Sequence, residues 1–133
     1  LEGRPEAGVE DLQRTHRLKT GALLRTSVEL GGLAGGADDP ALAALSAFGD
    51  HVGLAFQIVD DVLDVEASTE ELGKTAGADA VHHKATYPGL LGLAEAKEWA
   101  QRERDAALGA LEPLGTAAEP LRALARYIID RTY

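Results

Sequence analysis

The chain reads as an all-α protein on three observations. Apolar residues recur at helical spacing over several long stretches, no run of alternating β-branched residues competes, and Gly and Pro sit between those stretches as turn markers. With 133 residues, 45% of them apolar and 26% charged, the chain has the length and balance of one domain with a working core. It shows no internal repeat and no low-complexity tract.

A turn-like opening through Gly8 leads into a helix predicted over Val9 to Leu33, with apolar positions Leu12, Leu23, Leu24, Val28 and Leu30, despite Gly21. Gly31, Gly32, Gly35 and Gly36 form a break. Asp38 and Asp39 then offer an N-cap, with Pro40 at the first helical position, to a helix from Ala41 to about Val65 whose interior glycines are Gly49 and Gly53. At 1.5 Å per residue this central pillar would span roughly 40 Å. Glu66 to His83 contains Gly73 and Gly77 without a sustained apolar period and reads as a loop with at most a short helix.

Pro88, after Thr86 and Tyr87, marks a new helix start, with Leu90, Leu91, Leu93 and Ala94 expected on its buried side. Glu95 to Leu111 is a second, charged amphipathic stretch. After Pro113 and Gly115, Pro120 opens a terminal helix with Leu121, Leu124, Tyr127 and Ile128 at helical spacing. Trp99 and Tyr127 read as packing anchors, and His16 and His51 suggest no role.

The most informative stretch is Phe56 to Val65, which sets three carboxylates in an almost wholly apolar run. On a helix, Gln57, Asp60, Asp61 and Asp64 fall within an arc of about 100°, while Leu54, Phe56, Ile58, Val59, Val62, Leu63 and Val65 fill the rest. A bare Asp-Asp-x-x-Asp is more often a solvated acidic face than a metal site. A helix apolar nearly all round cannot put that stripe in bulk water without belonging to a core that opens onto it, so a buried, cation-loaded cleft is expected. Three clustered carboxylates need a cation or hydrogen-bond donors to stay ionised. Hard oxygen donors suit Mg2+, which takes one or two carboxylates and completes its shell with water and substrate phosphate oxygens. A diphosphate-bearing substrate follows.

Composition narrows the partners. Thirteen basic against twenty-two acidic residues leave a net charge of −9, which disfavours nucleic acid and anionic membrane surfaces. Without cysteine there is no disulfide framework, thiolate zinc site or Cys nucleophile. His82 and His83 lack a ligand at i+4, so zinc is not expected. No apolar run approaches the ~20 residues of a membrane span and Leu1 to Pro5 is no signal peptide, so a soluble cytoplasmic protein is the expectation. The absence of Met suggests that the sequence starts inside a longer protein.

Lys19-Thr20-Gly21, Phe56-Gln57, Asp60-Asp61-x-x-Asp64, Gly73-Lys74 and Gly77-Ala78-Asp79 with Lys84, in that order and spacing, resemble the C-terminal half of trans-type polyprenyl (isoprenyl) diphosphate synthases, such as the bacterial farnesyl and geranylgeranyl diphosphate synthases. The likeness runs from about Gly8 to Arg131. It implies the C-terminal half of an isoprenoid-synthase-type helical bundle, with residues 1–133 as one partial domain. By the same likeness, Asp60, Asp61 and Asp64 hold Mg2+ against the diphosphate of the allylic substrate, and Lys19 and Lys74 bind that diphosphate, with Lys84 nearby. Asp79 is a neighbouring acid. Thr20 and Gln57 turn their oxygens toward the developing allylic cation.

The implied reaction is head-to-tail condensation of an allylic prenyl diphosphate with isopentenyl diphosphate, in an intact protein expected to be a homodimer. The family's first Asp-rich motif and its isopentenyl diphosphate site belong to an N-terminal half that this chain lacks, so the fragment alone is expected to be inactive. It should also expose apolar surface where its missing helices pack. Arg131 matches part of a basic Arg-x-Lys tail, which here ends in Tyr133. Two other functions fit the same residues: a non-catalytic helical subunit of a prenyl synthase complex, and a related isoprenoid synthase or cyclase that does not use isopentenyl diphosphate.

Overall fold

The computed structural model describes residues 8–72 and 86–131, and the fold over them is all-α, as expected. One continuous helix opens it in three parts: α1, Val9–His16; a π-helical turn, Arg17–Gly21; and α2, Ala22–Ala34. α3 (Asp39–Leu72) is the long central helix, followed by the short α4 (Tyr87–Leu91), α5 (Leu93–Ala110), a 3-10 turn (Glu112–Ala118) and α6 (Glu119–Asp130).

The expected glycine break after α2 is a Schellman cap. Gly36 takes φ +80, the Ala37 amide donates to the Gly32 carbonyl (2.9 Å) and the Gly36 amide to the Leu33 carbonyl (3.1 Å). Asp38 then caps α3, its Oδ1 accepting from the Ala41 amide at 3.0 Å, with Pro40 in the first turn.

α3 has 34 residues, about 50 Å of helix, and outruns the expected end near Val65 by two turns. The predicted loop is therefore helical from Glu66 to Leu72. That segment lacks a hydrophobic period, but its Glu, Ala and Leu favour helix and no breaker occurs before Gly73. The stretch Asp39–Ser68 is long and apolar enough to cross a membrane by length and composition. This corrects the expectation that no run reaches that length.

α2 returns along α3 antiparallel. Arg25 faces Gly49, Gly21 faces Gly53, and Gly32 faces Leu42 and Leu45. A Cβ on Gly49 would lie 2.7 Å from the Arg25 Cα, and one on Gly53 would lie 3.1 Å from the Gly21 Cα. The two glycines inside the pillar are therefore crossing points where backbones meet. On the other side of α3, α5 presents the buried alanines Ala96, Ala100 and Ala107, which allow similarly close packing.

The core forms two clusters along α3. Leu45, Phe48 and Val52 pack with Ala107, Leu111, Ala118, Ala125 and Ile128 at one end. Leu54, Ile58, Val59 and Val62 pack with Leu12, Tyr87, Ala96 and Ala100 at the other. Leu90 and Leu93, expected inside, are exposed, and Tyr87 and Pro88 are the buried residues of α4. Tyr127, expected as an anchor, is 54% exposed, and Leu124 is also exposed, so α6 holds on through Ala125 and Ile128. Trp99 does pack against the second cluster. Leu23, Leu30 and Leu33 are 67%, 59% and 57% exposed and leave an open apolar face on α2.

Candidate functional site

Two elements carry the predicted site among the described residues. Lys19 and Thr20 lie in the π-helical turn, which the Gly21–Gly53 approach holds against α3 one turn before Gln57. Single π-turns inside α-helices are frequent at functional sites. Gln57, Asp60, Asp61 and Asp64 follow along α3 on one face. Lys74, Lys84 and Asp79 lie outside the described residues.

The acidic stripe is not buried. Gln57, Asp60 and Asp61 are half-buried, Asp64 is exposed, and no polar or charged residue is fully buried among the described ones. The rest of the helix explains this: Ala55, Ile58, Val59 and Val62 take the interior, so the acids stand on the open edge of a core.

Two of the carboxylates have defined partners. Asp60, its side chain 38% exposed, receives a 2.7 Å charge-assisted bond from Arg131 Nη2 just past the end of α6. The guanidinium also lies 4.4 Å from the Phe56 ring centroid and donates to the carbonyls of Ile128 (3.0 Å) and Phe56 (3.3 Å). Asp61 Oδ2 accepts the Tyr87 amide at 3.2 Å.

Behind Asp61, the buried Tyr87 reaches across the fold. Its hydroxyl lies 3.2 Å from His16 Nδ1, one turn before Lys19, and its ring meets the Trp99 ring edge-on at 5.6 Å. Burial, with Lys19 adding to it, lowers the His16 pKa below the usual 6.5, while Asp60 acts in the opposite sense. One imidazole thus feels both the predicted lysine and a predicted acid. Burial first, then Asp61, raises the Tyr87 pKa. Both shifts favour a neutral phenol beside a neutral imidazole, a pair that shares one hydrogen bond whose direction is set by the imidazole tautomer.

A cavity of about 540 Å³ adjoins Asp64, bounded by Val62, Lys97, Gln101, Ile129 and Arg131. Among the described residues no three Asp, Glu or His side chains converge on one point, so the stripe is not a closed metal cage. Mg2+ keeps much of its water and takes only one or two carboxylates, so an open row of hard donors fits it.

Sequence reasoning missed His16, Tyr87 and the Arg131–Asp60 pair. His16 and Tyr87 carry no spacing signal because they meet 71 positions apart. Only the turn chemistry around Thr86 and Pro88 pointed to their neighbourhood.

The family model described as polyprenyl synthetase matches residues 2–115. A chloroplastic geranylgeranyl pyrophosphate synthase from Catharanthus roseus is 47% identical over 133 residues, covering 98% of this chain and 37% of the relative. A dimethylallyltranstransferase from Fischerella ambigua (strain UTEX 1903) is 52% identical over 118 residues, 89% of this chain and 34% of the relative. Among solved structures, an FPP/GFPP synthase from Zymomonas mobilis superposes with a TM-score of 0.76 at 36% identity, covering 92% of this chain and 39% of that one. The chain spans little more than a third of the length of the curated relatives it matches.

Proposed function

The chain belongs to the polyprenyl synthetase family, and from that membership we propose that it supplies the allylic-diphosphate side of a Mg2+-dependent prenyltransferase, which joins an allylic prenyl diphosphate head-to-tail to isopentenyl diphosphate. The observation that carries this is the seating of the Lys19 turn beside the acidic face of α3, with both charges acting on His16.

Ionising an allylic diphosphate leaves negative charge on the departing group and positive charge on carbon, so a site must serve both. Bound Mg2+ would supply positive charge to the diphosphate oxygens. Asp60, Asp61 and Asp64 are the residues of this chain that would hold it. Lys19 brings an ammonium to the same diphosphate, as would Lys74 and Lys84. Thr20 and Gln57, at the turn and one helical turn past Gly53, set oxygen dipoles toward the carbon that becomes cationic. The departing diphosphate is itself the base for the last proton, so no nucleophile triad is required.

The second substrate and the facing acidic motif come from a part of the protein outside these 133 residues. The open apolar face of α2 supports that division, since such a face needs a covering partner. We assign the intact protein to the cytoplasm as a homodimer, with α3 as a core pillar packed by α2 and α5 rather than a membrane span.

The test is turnover of the full-length protein with Mg2+, an allylic diphosphate and isopentenyl diphosphate. Asp60→Ala combined with Asp61→Ala should lower kcat by about 10³-fold, or ~4 kcal/mol of transition-state stabilisation. Retention of turnover within a few fold overturns the assignment. A second reading is a non-catalytic subunit, whose mark is Mg2+-dependent diphosphate binding without turnover. Turnover that does not need isopentenyl diphosphate would instead point to a cyclase-like synthase.

A further inference from the structure

Resting on the diphosphate role assigned above, we propose that Tyr87 and His16 are positioning residues, forming a strut that fixes the lysine-bearing π-turn relative to the Asp61 carboxylate. Tyr87 is engaged at both ends. Its backbone amide holds Asp61 Oδ2 at 3.2 Å and its hydroxyl holds His16 Nδ1 at 3.2 Å. Three elements distant in sequence, α1, α3 and α4, are joined through one residue, by its backbone amide on one side and its hydroxyl on the other.

The strut has a rigid foundation. Thr86 caps α4 by accepting the Gly89 amide at 3.0 Å, and Pro88 fixes the first turn, so the Tyr87 backbone is set before its ring packs. The ring is fully buried, 5.3 Å from the His16 ring and edge-on to Trp99. Trp99 Nε1 in turn donates to Glu103 (3.2 Å), whose other oxygen lies 2.7 Å from His51 Nδ1. Two aromatic neighbours and both polar ends of Tyr87 are engaged, so the contacts together hold the ring in place. His16 stands at the entry to the turn, so fixing its ring fixes where the turn begins. A filler aromatic would need the apolar contacts alone. The paired contacts to an expected metal ligand and to the turn beside an expected diphosphate ligand are what set Tyr87 apart.

The experiment measures, by calorimetry on the full-length protein, the affinity for inorganic diphosphate in the presence of Mg2+. Tyr87→Phe keeps the ring and the backbone donor and removes only the hydroxyl. His16→Leu removes the polar partner, and His16→Asn restores one, able to accept or donate, near the Nδ1 position. The expected result is that Tyr87→Phe and His16→Leu each weaken diphosphate binding by about fivefold to twentyfold, that the double variant is no weaker than either alone, and that His16→Asn stays within about threefold of the native protein. A merely structural role would lower the melting temperature without that non-additive pattern. Native-like binding in both single variants, losses that multiply in the double variant, or His16→Asn as weak as His16→Leu overturns the strut. Failure of the native protein itself to bind diphosphate with Mg2+ would instead overturn the functional assignment beneath it.

Discussion

The two ends of α3 are lined with the same kinds of aliphatic side chain and are closed in different ways. Around Phe48, the core partners from α5, the 3-10 turn and α6 are apolar, and Gly49 lets α2 in to backbone contact. The polar pairs at the rim there, Ser46–Glu29, Arg25–Asp50 and His51–Glu103, involve none of the predicted site residues. Around Ile58 the interior is equally apolar, but its edge is held by polar contacts: Arg131 on Asp60, the Tyr87 amide on Asp61, and the Tyr87 hydroxyl on His16. Close packing at the first end tolerates little change of volume. Directional bonds at the second end fix orientations, and exposure leaves their oxygens accessible to a ligand. Close apolar packing marks one end of the pillar, and directional contacts on the predicted site residues mark the other.

The sharpest way to break that contrast is Phe48→Ala. Phe48 is among the largest fully buried side chains, and its truncation should cost about 3–5 kcal/mol in urea unfolding. The kcat of the molecules that remain folded should stay within about twofold, since the Phe48 cluster connects to Asp60 indirectly, through Phe56, Ile128 and Arg131. A fall in kcat comparable to that of the paired Asp60 and Asp61 variant would mean that the two ends are not separable.

A smaller effect is expected at the helix crossing. Gly49→Ala places a methyl against the Arg25 backbone and should destabilise by about 1–3 kcal/mol, read from thermal melts. Gly31→Ala, where nothing lies within 4 Å, is the matched control and should be neutral or slightly stabilising. Equal melting temperatures for the two variants would remove the close crossing as a feature of the closely packed end.

The smallest effect concerns the site end and is one of pH. Burial, reinforced by Lys19, holds the His16 pKa below its usual 6.5. The unfolded chain therefore takes up this proton at a higher pH than the folded one does. Stability is complete above the unfolded value and is lost as pH falls below 6.5, until the folded ring titrates too. Urea midpoints should accordingly fall between about pH 7.5 and pH 5, and less steeply in His16→Leu. An identical slope in both proteins would show that His16 does not feel the burial assigned to it.

What was legible in the sequence was whatever rests on neighbouring residues. The Asp38 cap, Pro40 in the first turn, the pillar and the common face of Gln57, Asp60, Asp61 and Asp64 follow from spacing alone. Periodicity misjudged burial where tertiary partners decide it. Leu90, Leu93, Leu124 and Tyr127 sit at helical spacing yet stay exposed, because alanines on α5 and α6 make the close contacts. The helical run Glu66 to Leu72 was missed because it rests on propensity rather than on an apolar period. Within the site, the acids were legible as a motif but not their openness, which depends on what else covers α3. The Tyr87–His16 contact was illegible, being a single pair across 71 positions.

The π-helical turn at Arg17–Gly21 carries a consequence for how this segment tolerates change. A π-turn accommodates one extra residue in a helix, and each residue is worth about 100° of rotation. Leu12 points into the core before it, while Leu23, Leu30 and Leu33 point outward after it. Substitutions in the turn leave that rotational offset in place, whereas losing or gaining one residue turns everything upstream against everything downstream. Between His16 and Gly21 the length of the chain is therefore constrained more tightly than its composition.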